Sequence, residues 1–153
     1  YYLAREICQA LEQTNELLFH SIMLTSQLLR NGHSCLKIDQ EADTLYWQHS
    51  QDEQSGYIFP AVNDWHQLLS ELAISPADNQ PLVYEKQRLY LRRYWQFEQE
   101  LAERIRALID QKNTAFDASQ AGQVIEQLFP DVAADIDWQK VAVANALSRQ
   151  FTI

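Results

Sequence analysis

Pro81-Leu82-Val83-Tyr84-Glu85-Lys86-Gln87-Arg88-Leu89-Tyr90-Leu91-Arg92-Arg93-Tyr94-Trp95 is the stretch on which the fold turns. Two short runs rich in Leu, Val and Tyr flank Glu85-Lys86-Gln87, which predicts a hairpin with arms Pro81–Glu85 and Arg88–Arg93. In the second arm Leu89 and Leu91 point one way and Arg88, Tyr90 and Arg92 the other, as a period of two requires. From Tyr94 the period lengthens. Phe97, Leu101, Ile105 and Leu108 recur at helical spacing and predict a helix to about Asp110 with these four as its buried stripe. Glu100 with Arg104 and Glu103 with Arg106 add a few tenths of a kcal/mol each on its exposed side.

On the N-terminal side the pattern is helical. Residues 1–12 place Leu3, Ile7, Ala10 and Leu11 on one face. A second helix runs from about Asn15, a capping residue type, to Arg30. Leu17, Leu18, Ile22, Leu24, Leu28 and Leu29 cover more than half its circumference, so it must be largely buried. Asn31-Gly32 ends it, because both tolerate the left-handed conformation. His33 to Ile38 reads as a short extended piece. Residues 39–56 are polar with Leu45, Tyr46 and Trp47 embedded, a composition that suits either a loop or a peripheral helix. Asp64 is the expected cap of a helix to about Ala73 carrying Trp65, Leu68, Leu69 and Leu72, and Ser75–Asn79 is a loop.

Beyond the hairpin, Ser119 to Leu128 is a short helix stopped by Pro130. Asp137 caps a last one from Trp138 to about Arg149. Phe151-Thr152-Ile153 then starts a strand with nothing to pair it, and position 1 is not Met, so the chain is expected to be an excised piece of a longer protein. The predicted class is mainly α: a small multi-helix domain with one β-hairpin.

With 153 residues, 46% of them hydrophobic and three Gly, the sequence suits one packed, helix-rich domain rather than a disordered segment. A net charge of −9 repels phosphate backbones, so DNA is not the expected partner of this piece by itself. Cys8 and Cys35 are too few for a disulfide framework, and no signal peptide or long apolar run occurs. A reducing cytoplasm is the expected compartment, with no membrane partner. His20, His33, His49 and His66 do not fall at metal-ligand spacings, and His33 with Cys35 cannot complete a tetrahedral zinc site. Asp52-Glu53 lies in a polar stretch where solvated charge is the plain explanation. No catalytic residue is predicted.

Asp137-Trp138-Gln139-Lys140-Val141-Ala142, followed by Ala146-Leu147-Ser148-Arg149, resembles the segment just ahead of the phosphate-binding loop in RecD, the alpha subunits of exodeoxyribonuclease V. Gly32-His33-Ser34-Cys35-Leu36, the hairpin, and Leu128-Phe129-Pro130 resemble other elements of that family in the same order. Two departures stand out: residues 39–60 match nothing in the pattern, and the turn holds Glu85-Lys86-Gln87 where relatives often carry Gly. The chain has no G-x-x-x-x-G-K-[ST] loop.

The resemblance implies a division into a helical domain over residues 1–136, with its hairpin at about 81–93, and a lead-in helix and first strand of a RecA-like motor domain over 137–153. It implies a parent that hydrolyses ATP with Mg, moves 5′ to 3′ on DNA through motor domains outside this chain, and works with the gamma subunit RecC, and with RecB, in double-strand break repair. This domain would dock the motor on RecC.

Such helicases place a Gln just upstream of the phosphate loop, and Gln139 matches it; a carboxamide's acceptor and two donors suit the N6 and N7 edge of adenine. The plain reading is an exposed polar residue in a first helical turn. Trp138 and Phe151 read as core or domain-interface packing. Tyr90, Arg92 and Trp95 are the candidate partner anchors, because Arg, Tyr and Trp are enriched at protein interfaces. Single-stranded DNA binding is the alternative use of interleaved cations and aromatics, and a solvated hairpin face the plain one. A stand-alone helical adaptor is the competing function, as is a RecD-like helicase acting without RecB and RecC. A parent gene that continues into a Gly-rich Lys-Ser/Thr loop within about a dozen residues excludes the adaptor.

Overall fold

The computed structural model describes residues 1–48, 55–111, 117–130 and 136–152. The chain divides into two compact units, Tyr1–Glu98 and Gln99–Ile153.

Unit 1 opens with α1 (Tyr2–Ala10) and α2 (Glu16–Arg30). Asn15 caps α2 as its residue type predicts, with Oδ1 accepting from the Leu18 N–H at 3.1 Å. At the other end Gly32 takes φ +91°, and the His33 N–H bonds back to the Leu28 carbonyl at 3.0 Å. This closes the helix as a left-handed glycine allows. Next come β1 (Leu36–Lys37), α3 (Ile38–Glu41), β2 (Leu45–Tyr46), β3 (Tyr57–Ile58) and α4 (Val62–Glu71). Helix α4 starts two residues ahead of Asp64, at an Ala61 N-cap without a side-chain cap bond, and Asp64 sits in its first turn. The expected cap is thus corrected: an acid in the first turn favours a helix through the dipole whether or not it caps.

The hairpin is β4 (Leu82–Glu85) and β5 (Arg88–Leu91), paired antiparallel with Glu85 opposite Arg88. Lys86 and Gln87 occupy the turn with φ of 50° and 60°, the doubly left-handed geometry that matches strand twist in two-residue hairpins. Strand β1 pairs with β5, giving the order β1-β5-β4. Of the extended piece expected at 33–38, Leu36–Lys37 forms a strand and joins the hairpin's sheet, while Ile38 already opens α3. A second ribbon pairs β2, inside the stretch 39–56 that the sequence left open between loop and helix, with β3 just beyond it.

The core of unit 1 gathers Leu18, Ile22 and Leu24 of α2, Leu36, Phe59, Trp65 and Leu69, and the sheet's Leu82 and Leu89. Phe59 and Trp65 stack at 4.4 Å. The buried Trp65 indole donates to Ser21 Oγ at 2.8 Å, and that hydroxyl donates to the Leu17 carbonyl at 2.6 Å. Polar groups taken into this core are thereby satisfied.

Helix α5 (Arg92–Asp110) begins directly at the end of β5. Unit 2 contains its later turns, then α6 (Ala118–Leu128) and α7 (Trp138–Ser148). Asp117 caps α6 through the Ser119 and Gln120 N–H groups, and Asp137 caps α7 as predicted, accepting from Gln139 N at 3.0 Å and Lys140 N at 3.3 Å. Lys140 Nζ lies 3.1 Å from a Glu126 carboxylate oxygen. Phe151 and Thr152 lie outside any strand. Among the described residues no helix is long and apolar enough to cross a membrane.

Candidate functional site

The junction of β5 and α5 carries the candidate anchors. Tyr90 does not share a solvated face with Arg88 and Arg92. It is 4% exposed, packed with Cys35 and Val83 in a second small cluster against which Trp95 rests. The expected alternation holds, with Leu82 and Leu89 in the main core and Val83 and Tyr90 in the second cluster, but the second face is covered as well, so at Tyr90 it is not solvated. Burial pushes the Tyr90 hydroxyl up to about 12, against the pull of a hydrogen bond from Arg88. The Arg88 guanidinium, itself exposed, is correspondingly held in its charged form.

Arg92 is occupied within the chain. Its Nε donates to the Gln80 carbonyl. Its terminal nitrogens reach the carbonyls of Pro76 at 3.3 Å and Ser75 at 3.2 Å, and that of Asp78. One guanidinium thus gathers carbonyls of the 75–80 loop that have no strand or helix to satisfy them. Asp78 closes the same loop, accepting from the Ser75 N–H at 2.8 Å and hydroxyl at 2.6 Å, which holds its carboxyl below the usual range. Trp95 is half-buried, its indole donating to Glu85 Oε2 at 3.1 Å, with the Arg92 guanidinium 5.9 Å above its ring. Of the three predicted anchors, the fold makes Tyr90 a core residue and Arg92 a loop staple.

The exposed groups are their neighbours. Tyr94 is 39% exposed and Phe97 49%, their rings edge-on at 6.3 Å, and the Arg93 guanidinium lies 5.2 Å from the Phe97 centroid. The stripe that sequence spacing placed inside is therefore corrected at Phe97 and Leu101, both exposed. At 100° per residue, the side of α5 facing the sheet is the one with Trp95 and Glu98, the latter accepting from the Ser34 hydroxyl. Phe97 and Tyr94 fall outside it.

Gln139 occupies the first turn of α7 and is exposed, its backbone N–H held by Asp137. Trp138 beside it is 71% exposed, so it is not a core residue of this chain, whereas Phe151 is half-buried. A hollow of about 630 Å³ in unit 2 is lined by Ile109, Ala142, Asn145, Arg149, Phe151 and Thr152, without Gln139. In unit 1 a cleft of about 680 Å³ lies between α1 and α2, with Tyr1, Arg5, Cys8 and Phe19 on its walls. The histidines are dispersed. His20 stacks on Tyr57 at 3.8 Å, His66 Nδ1 lies 2.7 Å from the Tyr84 hydroxyl, and His33 is exposed. His49, Asp52 and Glu53 lie outside the described residues. Among the described residues no three His, Cys, Asp or Glu side chains are grouped to hold a metal ion.

Comparison with known proteins places these features. The family model for the N-terminal domain of RecBCD enzyme subunit RecD matches residues 1–90. The chain belongs to the RecD N-terminal domain family. The RecBCD enzyme subunit RecD of Haemophilus influenzae is 30% identical over 149 residues, covering 85% of this chain. The chain spans about a fifth (22%) of that RecD's length. The RecD match over residues 1–90 falls within unit 1 and stops at Tyr90, one residue short of the end of β5.

Proposed function

We propose that this chain is the docking domain of a RecD-type subunit, holding an ATP-driven DNA motor against the gamma subunit RecC of an exodeoxyribonuclease V complex. The supporting observation is the coincidence of the family match, residues 1–90, with a unit that has its own core. A self-cored unit can serve as a rigid adaptor, and rigid surfaces bind with less ordering cost. In this reading the parent hydrolyses ATP with Mg and translocates 5′ to 3′ during double-strand break repair, with RecB as the third subunit. Contact with DNA belongs to motor domains, and the setting is the cytoplasm. Residues 137–153 form the lead-in to the motor.

Gln139 has its place in this reading. An exposed carboxamide in the first turn of α7 is available to the adenine edge once a phosphate loop follows it. In the full-length subunit, Gln139→Ala is expected to weaken ATP against other nucleoside triphosphates by about 1–3 kcal/mol. Competition binding measures this, and an unchanged nucleotide preference removes the assignment.

The docking role is tested by deleting residues 1–98 from the parent. The shortened subunit should still hydrolyse ATP but no longer co-purify with RecC. Undiminished co-purification would place docking elsewhere.

A further inference from the structure

We propose that the docking face is the outer side of the first turns of α5, Arg93, Tyr94 and Phe97, with Lys86 and Arg88 of the hairpin beside it in sequence, and that it fits an acidic protein surface bearing an apolar hollow. The inference rests on the docking reading above and deepens it by naming the face and its partner's chemistry.

Two independent observations carry it. The first is exposed aromatic area. Tyr94 and Phe97 remain 39% and 49% exposed although the adjoining Tyr90 and Trp95 rings find cover in unit 1. The Arg93 guanidinium over the Phe97 ring holds both groups in one arrangement before any partner arrives. Aromatic residues and Arg in such pre-formed clusters are the usual anchors of interface centres.

The second is charge. Residues 85–98 hold four of the chain's twelve Lys and Arg but only two of its twenty-one acids. Arg92 is held by loop carbonyls, Lys86 Nζ lies 3.8 Å from a Glu85 carboxylate oxygen, and Glu98 keeps its charge while accepting from the Ser34 hydroxyl, so the segment as a whole is net positive. Lys86, Arg88 and Arg93 stay exposed. On a chain of net charge −9 this is a local cationic island, and a partner that meets it favourably offers carboxylates there. Single-stranded DNA could use the same groups, but the surrounding acidic body disfavours a long phosphate backbone more than a compact acidic patch.

The test uses the full-length subunit and measures its affinity for RecC at several salt concentrations. The variants are Arg93→Glu, Phe97→Ala and, as a charge control on α2, Arg30→Glu. Circular dichroism melts confirm that each variant folds. Arg93→Glu and Phe97→Ala are expected to weaken binding on the order of 10- to 100-fold. Arg30→Glu should change it less than about 3-fold, and Arg93→Glu alone should flatten the salt dependence. Wild-type protein that fails to bind RecC overturns the docking reading itself. Wild-type binding with unaffected variants overturns only the face. Weakened binding with an unchanged salt slope overturns the acidic partner. Variants that lose affinity for an oligo-dT strand instead of RecC reassign the face to nucleic acid. Variants that melt earlier in the full-length subunit but bind RecC normally reassign it to packing within the polypeptide.

Discussion

Residues 1–98 and 99–153 are both helix-rich, yet they bury their apolar side chains very differently. Every buried apolar side chain among the described residues except Ile125 lies in unit 1. Unit 2 instead leaves Leu128, Ile136 and Trp138 each more than half exposed. Burial of apolar area is the dominant favourable term in folding, at about 25 cal/mol per Å². Unit 1 therefore has the means to stand alone, while the helices of unit 2, with Ile125 as their buried apolar side chain among the described residues, lean more on caps and on the Lys140–Glu126 ion pair, which contribute on the order of 1 kcal/mol each. Amphipathic sequence specifies a helix in both units, but only tertiary cover makes one durable.

The largest expected contrast is in amide exchange. Protons of α2, α4 and β5 should exchange only through global unfolding of unit 1, and those of α6 and α7 on the order of 100-fold faster or more. Equal protection in both units would erase the comparison. Paired tryptophan substitutions sharpen it. Trp65→Ala, which empties the stack on Phe59 and takes from the Ser21 oxygen its indole donor, should cost about 3–5 kcal/mol in denaturant unfolding. Trp138→Ala should stay within about 0.5 kcal/mol. A smaller effect, about 1–3 kcal/mol, is expected for Arg92→Ala, which releases the carbonyls of the 75–80 loop. Faster proteolytic cutting within that loop should accompany it.

Alkaline pH separates the two units again. Tyr46 and Tyr90, both in unit 1, are pushed up to about 12 from 10.0, mainly by burial, with the Glu41 carboxylate accepting from the Tyr46 hydroxyl. A folded-state value above the unfolded one means the fold favours the neutral phenol. That stabilisation is complete below pH 10 and is lost as pH rises through about 12. Ultraviolet titration should therefore show phenols ionising late, one fewer in Tyr90→Phe, and unit 1 should unfold in that window. Ionisation of every tyrosine near 10 would contradict the packing described for Tyr90. The smallest effect lies at the hairpin tip. Lys86→Asn with Gln87→Gly suits the doubly left-handed turn and should raise stability by about 0.5–1 kcal/mol.

Much of this was legible in the sequence, for local reasons. Asn15 and Asp137 act as caps because a short side-chain oxygen reaches the orphan N–H groups whatever surrounds it. The hairpin arms and the long α2 follow from periodicity alone. The misreadings share one cause: they concern what covers a face. Period two places Tyr90 opposite Leu89 but does not say that Cys35 and Trp95 cover that side too. Period 3.6 groups Phe97 with Ile105 but does not say which flank of α5 the sheet takes. The β2–β3 ribbon has two residues per strand, too few for alternation to register. Among the site residues, Arg92 was singled out for its chemistry, but its work lies inside the loop that precedes the hairpin.

The claim on which the functional reading depends is that unit 1 binds the gamma subunit without help from a motor. Calorimetric titration of this 153-residue chain into purified RecC measures that directly. Saturable one-to-one binding, weakened on the order of 10- to 100-fold in Phe97→Ala and kept in Trp138→Ala, is the predicted result. Absence of any binding by a chain whose unit 1 is shown to be folded would contradict it.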